Sequence, residues 1–326
     1  MMLRCALRRH PLFLPYLALA AVCLFWGTTY LAIRMSLETF PPLAVVAVRY
    51  TLAGVAMLGI ARVRGMEVPR GADLVVACTT GLLTLGIGNG ALVYAELLVP
   101  SGMASLILTF TPFWMVAIEA LFPGGERLHG PALGGMVIGL AGAGLLFVSR
   151  EGVSGSDLLS GFLLLQFCMS GWALGSILQR RRPGIAHPAI AGGIQMLATG
   201  LAAAPFALLL PHPAYHWSTR GVCAVFYLVV FGSVVGYSAY VYALDRLPVA
   251  IASLYTYVNV VVAMALGWLV YREPFGAREA LAMLVIFAGV WVVKHYSAQK
   301  RTAPGAELLA RASTAPFRPA TGRERS

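Results

Sequence analysis

Long apolar runs, broken by short stretches rich in Pro, Gly and polar residues, fill the chain from residue 14 to residue 295. Each run approaches the ~20 residues that an α-helix needs to cross a bilayer. Lipid offers no partner to an unpaired backbone amide, so each run reads as a helix. The pattern predicts ten spans: 14–34, 42–61, 74–96, 101–122 and 130–148, then 158–178, 187–210, 218–244, 249–270 and 276–295. The breaks fall at Pro41-Pro42, Pro100-Ser101-Gly102, Pro123-Gly124-Gly125, Pro183-Gly184 and Pro211-His212-Pro213, residues that end or turn helices. Residues 1–13 lead into the first span and residues 149–157 join the fifth to the sixth. Residues 296–326 form an Ala-, Pro- and Arg-rich basic tail whose composition predicts disorder.

The pattern is written twice. YAELLVPSGMASLILTFTPFWMVAIEAL, Tyr94 to Leu121, returns as YALDRLPVAIASLYTYVNVVVAMALGWL, Tyr242 to Leu269, with Pro100 on Pro248, Ala104 on Ala252 and Ser105 on Ser253. Trp26 falls on Trp172, Arg34 on Arg180 and Pro42 on Pro188 at a spacing of 146, and Glu126 on Glu273 and Gly142 on Gly289 at 147. A register held within two residues over a whole half is an internal duplication, with residues 14–148 as the first repeat and 158–295 as the second. Five spans per repeat is an odd number. The second repeat therefore starts on the opposite side of the membrane, and the fold expected is an all-α membrane protein of two inverted five-helix repeats.

Of 326 residues, 59% are hydrophobic and 11% charged, and the mean hydropathy is +0.78, well outside the globular range. The net charge of +11 does not point to nucleic acid, because the basic residues flank spans or lie in the tail and leave no soluble domain to bind it. Their distribution instead orients the chain. With a cytoplasmic N-terminus, the inner segments before the tail hold eleven (Arg4, Arg8, Arg9, Arg62, Arg64, Arg70, Arg127, Arg180, Arg181, Arg182, Arg246) and the outer segments five (Arg34, Arg150, Arg220, Arg272, Arg278). Both termini are thus expected in the cytoplasm of an inner (plasma) membrane protein. The N-terminal MMLRCALRRHPLFLPYLALAA has the elements of a signal peptide. Its apolar run continues to Ile33, however, and its Trp26 and Arg34 recur in the second repeat, so it reads as the first span. Cys23, Cys78, Cys168 and Cys223 fall inside spans and form no CxxC, as small packing residues would.

These residues resemble a known family. WGTTYLAIRMSLETFPPLAVVAVRYTLAG (Trp26 to Gly54), GNGALVYAE before VPSG, TPFW, GERL (Gly125 to Leu128) and SGWALGS (Ser170 to Ser176) look like the EamA family of the drug/metabolite transporter superfamily, over about residues 14–295. The resemblance implies ten helices in two repeats and a secondary transporter, commonly an exporter of amino acids or other small metabolites. It also implies that the first to fourth and sixth to ninth helices wall the path, with the fifth and tenth as support. Relatives often carry Asn-Pro in the ninth helix, where this chain has Asn259-Val260; Pro112 in the fourth remains as the candidate kink or gating position.

Candidate substrate-binding residues are those polar or aromatic groups that the spans hold away from their ends. Arg49 lies inside the second span, where a charge costs about 2.5–3.5 kcal/mol on insertion scales. It either binds an anionic group or snorkels to the outer interface, which is about 10 Å away along the helix. Its repeat mate is the uncharged Gln195. Trp26 and Tyr30 share a face of the first span and Trp172 and Ser176 repeat that face in the sixth, as cavity lining or as packing. Asn89 in the third span, Tyr237 and Tyr240 in the eighth, and Tyr255 and Asn259 in the ninth complete the set. The amides fit substrate orientation or helix-to-helix bonding.

Glu96 and Glu119 read as span-end residues wetted by the interface, and Arg34 and Glu38 as an exposed i,i+4 ion pair. Gly135, Gly139 and Gly142 fit close helix packing within the monomer, which is expected over a homodimer. There is no HExxH, GxSxG, GxxxxGK[ST] or paired intramembrane carboxylate, so neither an enzyme nor ATP-driven transport is expected. No cofactor or metal is implied. The expectation is a secondary transporter, an exporter, that moves a small organic metabolite such as an amino acid or drug-like compound by alternating access in the lipid bilayer. A lipid or lipid-linked-metabolite translocator and an intramembrane enzyme are the competing readings.

Overall fold

The computed structural model describes residues 12–123, 130–147, 154–181, 187–211, 217–247, 255–273, 275–293 and 295. The predicted N-terminal segment before residue 12, most of the 149–157 linker and the tail lie outside the described residues. Among the described residues, ten helices form the bundle. They are α1 (Phe13–Leu37), α2 (Pro42–Val63), α3 (Ala72–Ala95), α4 (Ser101–Glu119) and α5 (Gly130–Phe147), then α6 (Gly155–Arg180), α7 (Pro188–Leu209), α8 (Thr219–Tyr227, Leu228–Val235 and Gly236–Arg246), α9 (Tyr255–Tyr271) and α10 (277–293). Seven of them are, by length and composition, long and apolar enough to cross a membrane; α5 and α9 contain shorter apolar helices. Pro42 and Pro188 start α2 and α7 at their first positions, where a missing N–H costs nothing.

The repeats meet face to face along α2 and α7. A Cβ added at Gly54 would lie 2.5 Å from the backbone nitrogen of Leu197, and one added at Gly200 would lie 2.3 Å from that of Thr51. Gly54 and Gly200 are repeat mates, as are Thr51 and Leu197, all at the spacing of 146. The two contacts are the same contact turned by a local two-fold axis, and the absent side chains are what let the backbones approach. Around this axis α3 packs on α6 and α8 packs on α1, while α4 packs on α9. The helices run in opposite senses in the two halves: the end of α1 (Glu38) meets the start of α8 (Arg220), and the end of α4 (Glu119) meets the end of α6 (Arg180).

Two features within the helices bear on the site. The middle of α3 (Leu82–Asn89) and the middle of α8 (Leu228–Val235) are π-helical, eight residues each and 146 positions apart. Such wide turns free carbonyls from the regular ladder and recur at functional sites. The second feature is confined to one repeat. α4 is divided into Ser101–Leu108 and Thr111–Glu119, with Pro112 opening the second piece. The positions that match the Thr109-Phe110 break, Tyr257 and Val258, lie inside the unbroken helix Tyr255–Tyr271. The kink at Pro112 therefore has no counterpart there, in keeping with Asn259-Val260 in place of Asn-Pro. Gly135, Gly139 and Gly142 of α5 face Val293, Phe113 and Ile286, so these glycines serve packing inside the chain.

Candidate functional site

Arg49 is 6% exposed, and its side chain reaches the middle of α8 rather than the nearer helix end. Its Nε donates to Ser233 Oγ at 3.0 Å, its guanidinium lies 4.9 Å from the Tyr50 ring centre, and its Nη2 sits against Gly232. Among the described residues no carboxylate comes within ion-pair distance of it. A guanidinium carries five donors, and one neutral hydroxyl leaves it short of acceptors. Gly232 is also where the first span arrives: Trp26 Nε1 donates to the Gly232 carbonyl at 3.1 Å. The wide turn of α8 thus offers a free carbonyl to the tryptophan and, one residue on, a hydroxyl to the arginine.

Trp26 in turn belongs to an aromatic group. Its ring centre is 5.1 Å from Tyr240 and 5.1 Å from Tyr255, the latter edge-on, and Tyr240 and Tyr255 are 5.5 Å apart. All three are half-buried. Asn259 is buried below them. With its amide turned to suit its neighbours, it donates to the carbonyls of Tyr255 and Cys23 at 3.0 Å, which ties α9 to α1. Tyr30, one turn beyond Trp26, packs at the margin of the main core. Arg49, Trp26, Tyr240 and Tyr255, predicted from four separate helices, are therefore joined through Gly232 and Ser233. Neither of those two is visible as a site residue in the sequence.

The remaining candidates lie elsewhere. Gln195 is 4% exposed and its amide donates to Thr80 Oγ1 at 3.2 Å and Gln179 Oε1 at 3.0 Å; its donors are spent on holding α7 to α3 and α6. Trp172 packs on Gly88, which stands 148 positions before the Gly236 that touches Trp26, and Ser176 bonds back to the Trp172 carbonyl at 2.7 Å. Asn89 closes the π-helical turn of α3, half-buried. Tyr237 packs its ring against Gly192 of α7, while Tyr240 packs on Trp26 and Tyr255. Three positions on a helix differ by about 60°, enough to send the two rings to different neighbours.

Two expectations about charge are corrected. Arg34 and Glu38 do not pair with each other. Arg34 turns to Glu273 at 3.7 Å, and Glu38 takes Arg220 at 3.7 Å and the Tyr271 hydroxyl, because helices of the second repeat close over that end. Glu96 is not wetted: it is 3% exposed, and both of its carboxyl oxygens lack a hydrogen-bond partner. Glu119 does stand near water, gripped by Arg180 and by Arg181 at 3.0 Å. A cavity of about 320 Å³ opens among Glu38, Phe40, Leu43, Tyr94, Leu97 and Phe206. It lies at the end of the bundle and includes none of the predicted binding residues.

Each repeat separately matches the sequence model of the EamA-like transporter family, over residues 13–148 and 159–294. The chain belongs to the EamA-like transporter family. It is therefore a multi-pass membrane transporter. It is 35% identical to the inner membrane transporter YedA of Escherichia coli K12, covering 84% of this chain and 89% of that one. It is 28% identical to a probable terminal-alkyne amino-acid exporter of Streptantibioticus cattleyicolor (87% and 94% covered). Against a probable amino-acid metabolite efflux pump of Escherichia coli K12 the identity is 25% (83% and 91% covered). A crystal structure at 23% identity superposes with a TM-score of 0.62 over 92% of this chain and 99% of that one, which supports the same fold.

Proposed function

We propose that this EamA-like transporter is a secondary exporter of the inner membrane for a small amino-acid-like solute, and that Arg49 receives the solute's anionic group. The observation that carries this reading is a buried guanidinium with one neutral hydroxyl as its hydrogen-bond partner. A planar, permanently charged fork so placed fits a carboxylate in bidentate geometry. The aromatic group that shares Gly232 with it, Trp26 with Tyr240 and Tyr255, suits the apolar body of such a solute. Relatives named as amino-acid exporters and efflux pumps favour the same class and the outward direction.

Alternating access is the mechanism this geometry favours. Contacts between the two repeats close the bundle at both ends, through Arg34–Glu273 and Glu38–Arg220 at one and Glu119 with Arg180 and Arg181 at the other. Opening either set while the other holds would expose the centre to one side at a time. The test is counterflow in proteoliposomes with a radiolabelled mixture of amino acids, challenged by unlabelled amino acids and by their amides. Competition by the free acids and not by the amides is expected. Equal competition would remove the anionic group from the reading, and covalent change of the label would return it to an enzyme.

A further inference from the structure

Glu96 is the first residue past α3, at the end of the bundle where α1 finishes and α4 begins. It is 3% exposed and neither carboxyl oxygen meets a donor. Its repeat mate is Leu244, so the fold does not require an acid at this position. A neighbouring carboxylate shows what a structural role looks like: Glu273, 8% exposed, takes the backbone nitrogens of Ser101 and Gly102 and the Ser101 hydroxyl at 2.9–3.0 Å and caps α4. Glu96 caps nothing and holds nothing.

The charged and titratable groups that act on it are Tyr30 and Arg34 of α1, Arg49 of α2 and Glu273 beyond α9, while Cys168 of α6 acts on Tyr30 and on Tyr50 of α2. Arg34 and Arg49 are both within electrostatic reach of it, and Arg34 is engaged elsewhere, by Glu273 and by the Val99 carbonyl at 3.4 Å. A carboxyl cut off from water and donors keeps its proton; one that regains water or a guanidinium releases it.

We propose that Glu96 is a proton-binding site coupled to transport, rested on the transporter reading above. With the Arg34–Glu273 contact closed, the group is a neutral carboxylic acid. When that end opens, water enters and Arg34 is freed to turn to it; the O–H bond breaks, the proton passes to water, and the carboxylate is left beside the arginine. Closure reverses the step, with the proton taken from water. Buried acidic side chains serve as proton relays in pumps and transporters, and each half of the cycle conserves the proton.

The experiment uses the full chain in lipid. Infrared difference spectroscopy in H2O and D2O should find a protonated-carboxyl C=O band at neutral pH that is absent in Glu96→Gln and restored, shifted, in Glu96→Asp. In proteoliposomes, an imposed pH gradient should alter the uptake of the radiolabelled amino-acid mixture by wild type and fail to do so for Glu96→Gln. Should that variant not transport, the band decides. A carboxyl band unchanged by Glu96→Gln overturns the proposal, as does a response driven by a sodium gradient at constant pH. Wild-type protein that shows the band and moves no amino acid would sink the solute assignment and leave the proton site standing.

Discussion

Arg34 and Arg180 occupy the same position in the two repeats, and each holds a carboxylate of the other repeat, Glu273 for Arg34 and Glu119 for Arg180, at opposite ends of the bundle. The arginines are symmetric; the carboxylates are not, since Glu273 matches Glu126 and Glu119 matches an apolar stretch. With Arg34 at 33% exposed and Arg180 at 45%, water screens both pairs. Each is worth about 1 kcal/mol or less, a size suited to a contact that would open and close in the proposed alternating access. Removing the acid of the second pair, Glu119→Gln, should shift the resting population about fivefold toward opening at that end. In a cysteine-free background, Thr29→Cys, buried beside Gly232, would then react faster with an impermeant maleimide from that side. An unchanged rate would leave Glu119 as a surface partner and no gate.

The two-fold contact of α2 and α7 predicts a sharp difference between glycines. At Gly200 a methyl group would strike the backbone of Thr51, whereas at Gly144 it would meet nothing within 4 Å. Gly200→Ala should cost about 1–3 kcal/mol or more and lower the melting temperature in detergent markedly. Gly144→Ala should be tolerated or mildly stabilising. Equal melting of the two variants would contradict the close crossing.

Orientation rests on the arginine count and on the odd number of spans per repeat. Reporters fused after Arg182 and after Lys294 should read cytoplasmic, and one at Ser154 external. The same side for Arg182 and Ser154 would be incompatible with an inverted second repeat.

Much of this architecture can be read from the chain because it is carried by local signals: apolar runs of span length, Pro and Gly at the breaks, and a register that repeats at 146–148. Arg49 and Trp26 also stand out, one as a charge and the other as a large aromatic far from a span end. What the chain hides depends on neighbours distant in sequence. LLTLGIGN and LVVFGSVV carry no composition that marks a π-helical turn, so Gly232 and Ser233 pass as ordinary apolar-helix residues. Glu96 looks wetted because it ends a span, and only the packing of α1, α2 and α6 around it decides otherwise. Arg34 and Glu38 have the spacing of an ion pair, and lose each other to partners from the second repeat. Gln195 is the mate of Arg49 by register, yet Thr80 and Gln179 absorb its amide.

Arg49 and Gln195 thus differ in what their side chains have left to bind. If Arg49 grips a carboxylate, Arg49→Gln removes a charge-assisted contact from a buried site and should weaken counterflow by about 2 kcal/mol or more, roughly 30-fold. The fold should accept the change, because Gln195 already fills the equivalent place in the second repeat. Arg49→Lys separates binding from simple charge balance. An ammonium keeps the charge but cannot bond Ser233 and both oxygens of a carboxylate in one plane, so apparent affinity should fall while expression stays normal. Trp26→Phe completes the set: it keeps an aromatic surface for Tyr240 and Tyr255 and deletes the bond to Gly232. Since that bond and Arg49 share the same turn of α8, its loss should raise the concentration needed for half-maximal counterflow more than it lowers the maximal rate. Normal counterflow in all three variants, with normal expression, would move the solute away from α8 altogether.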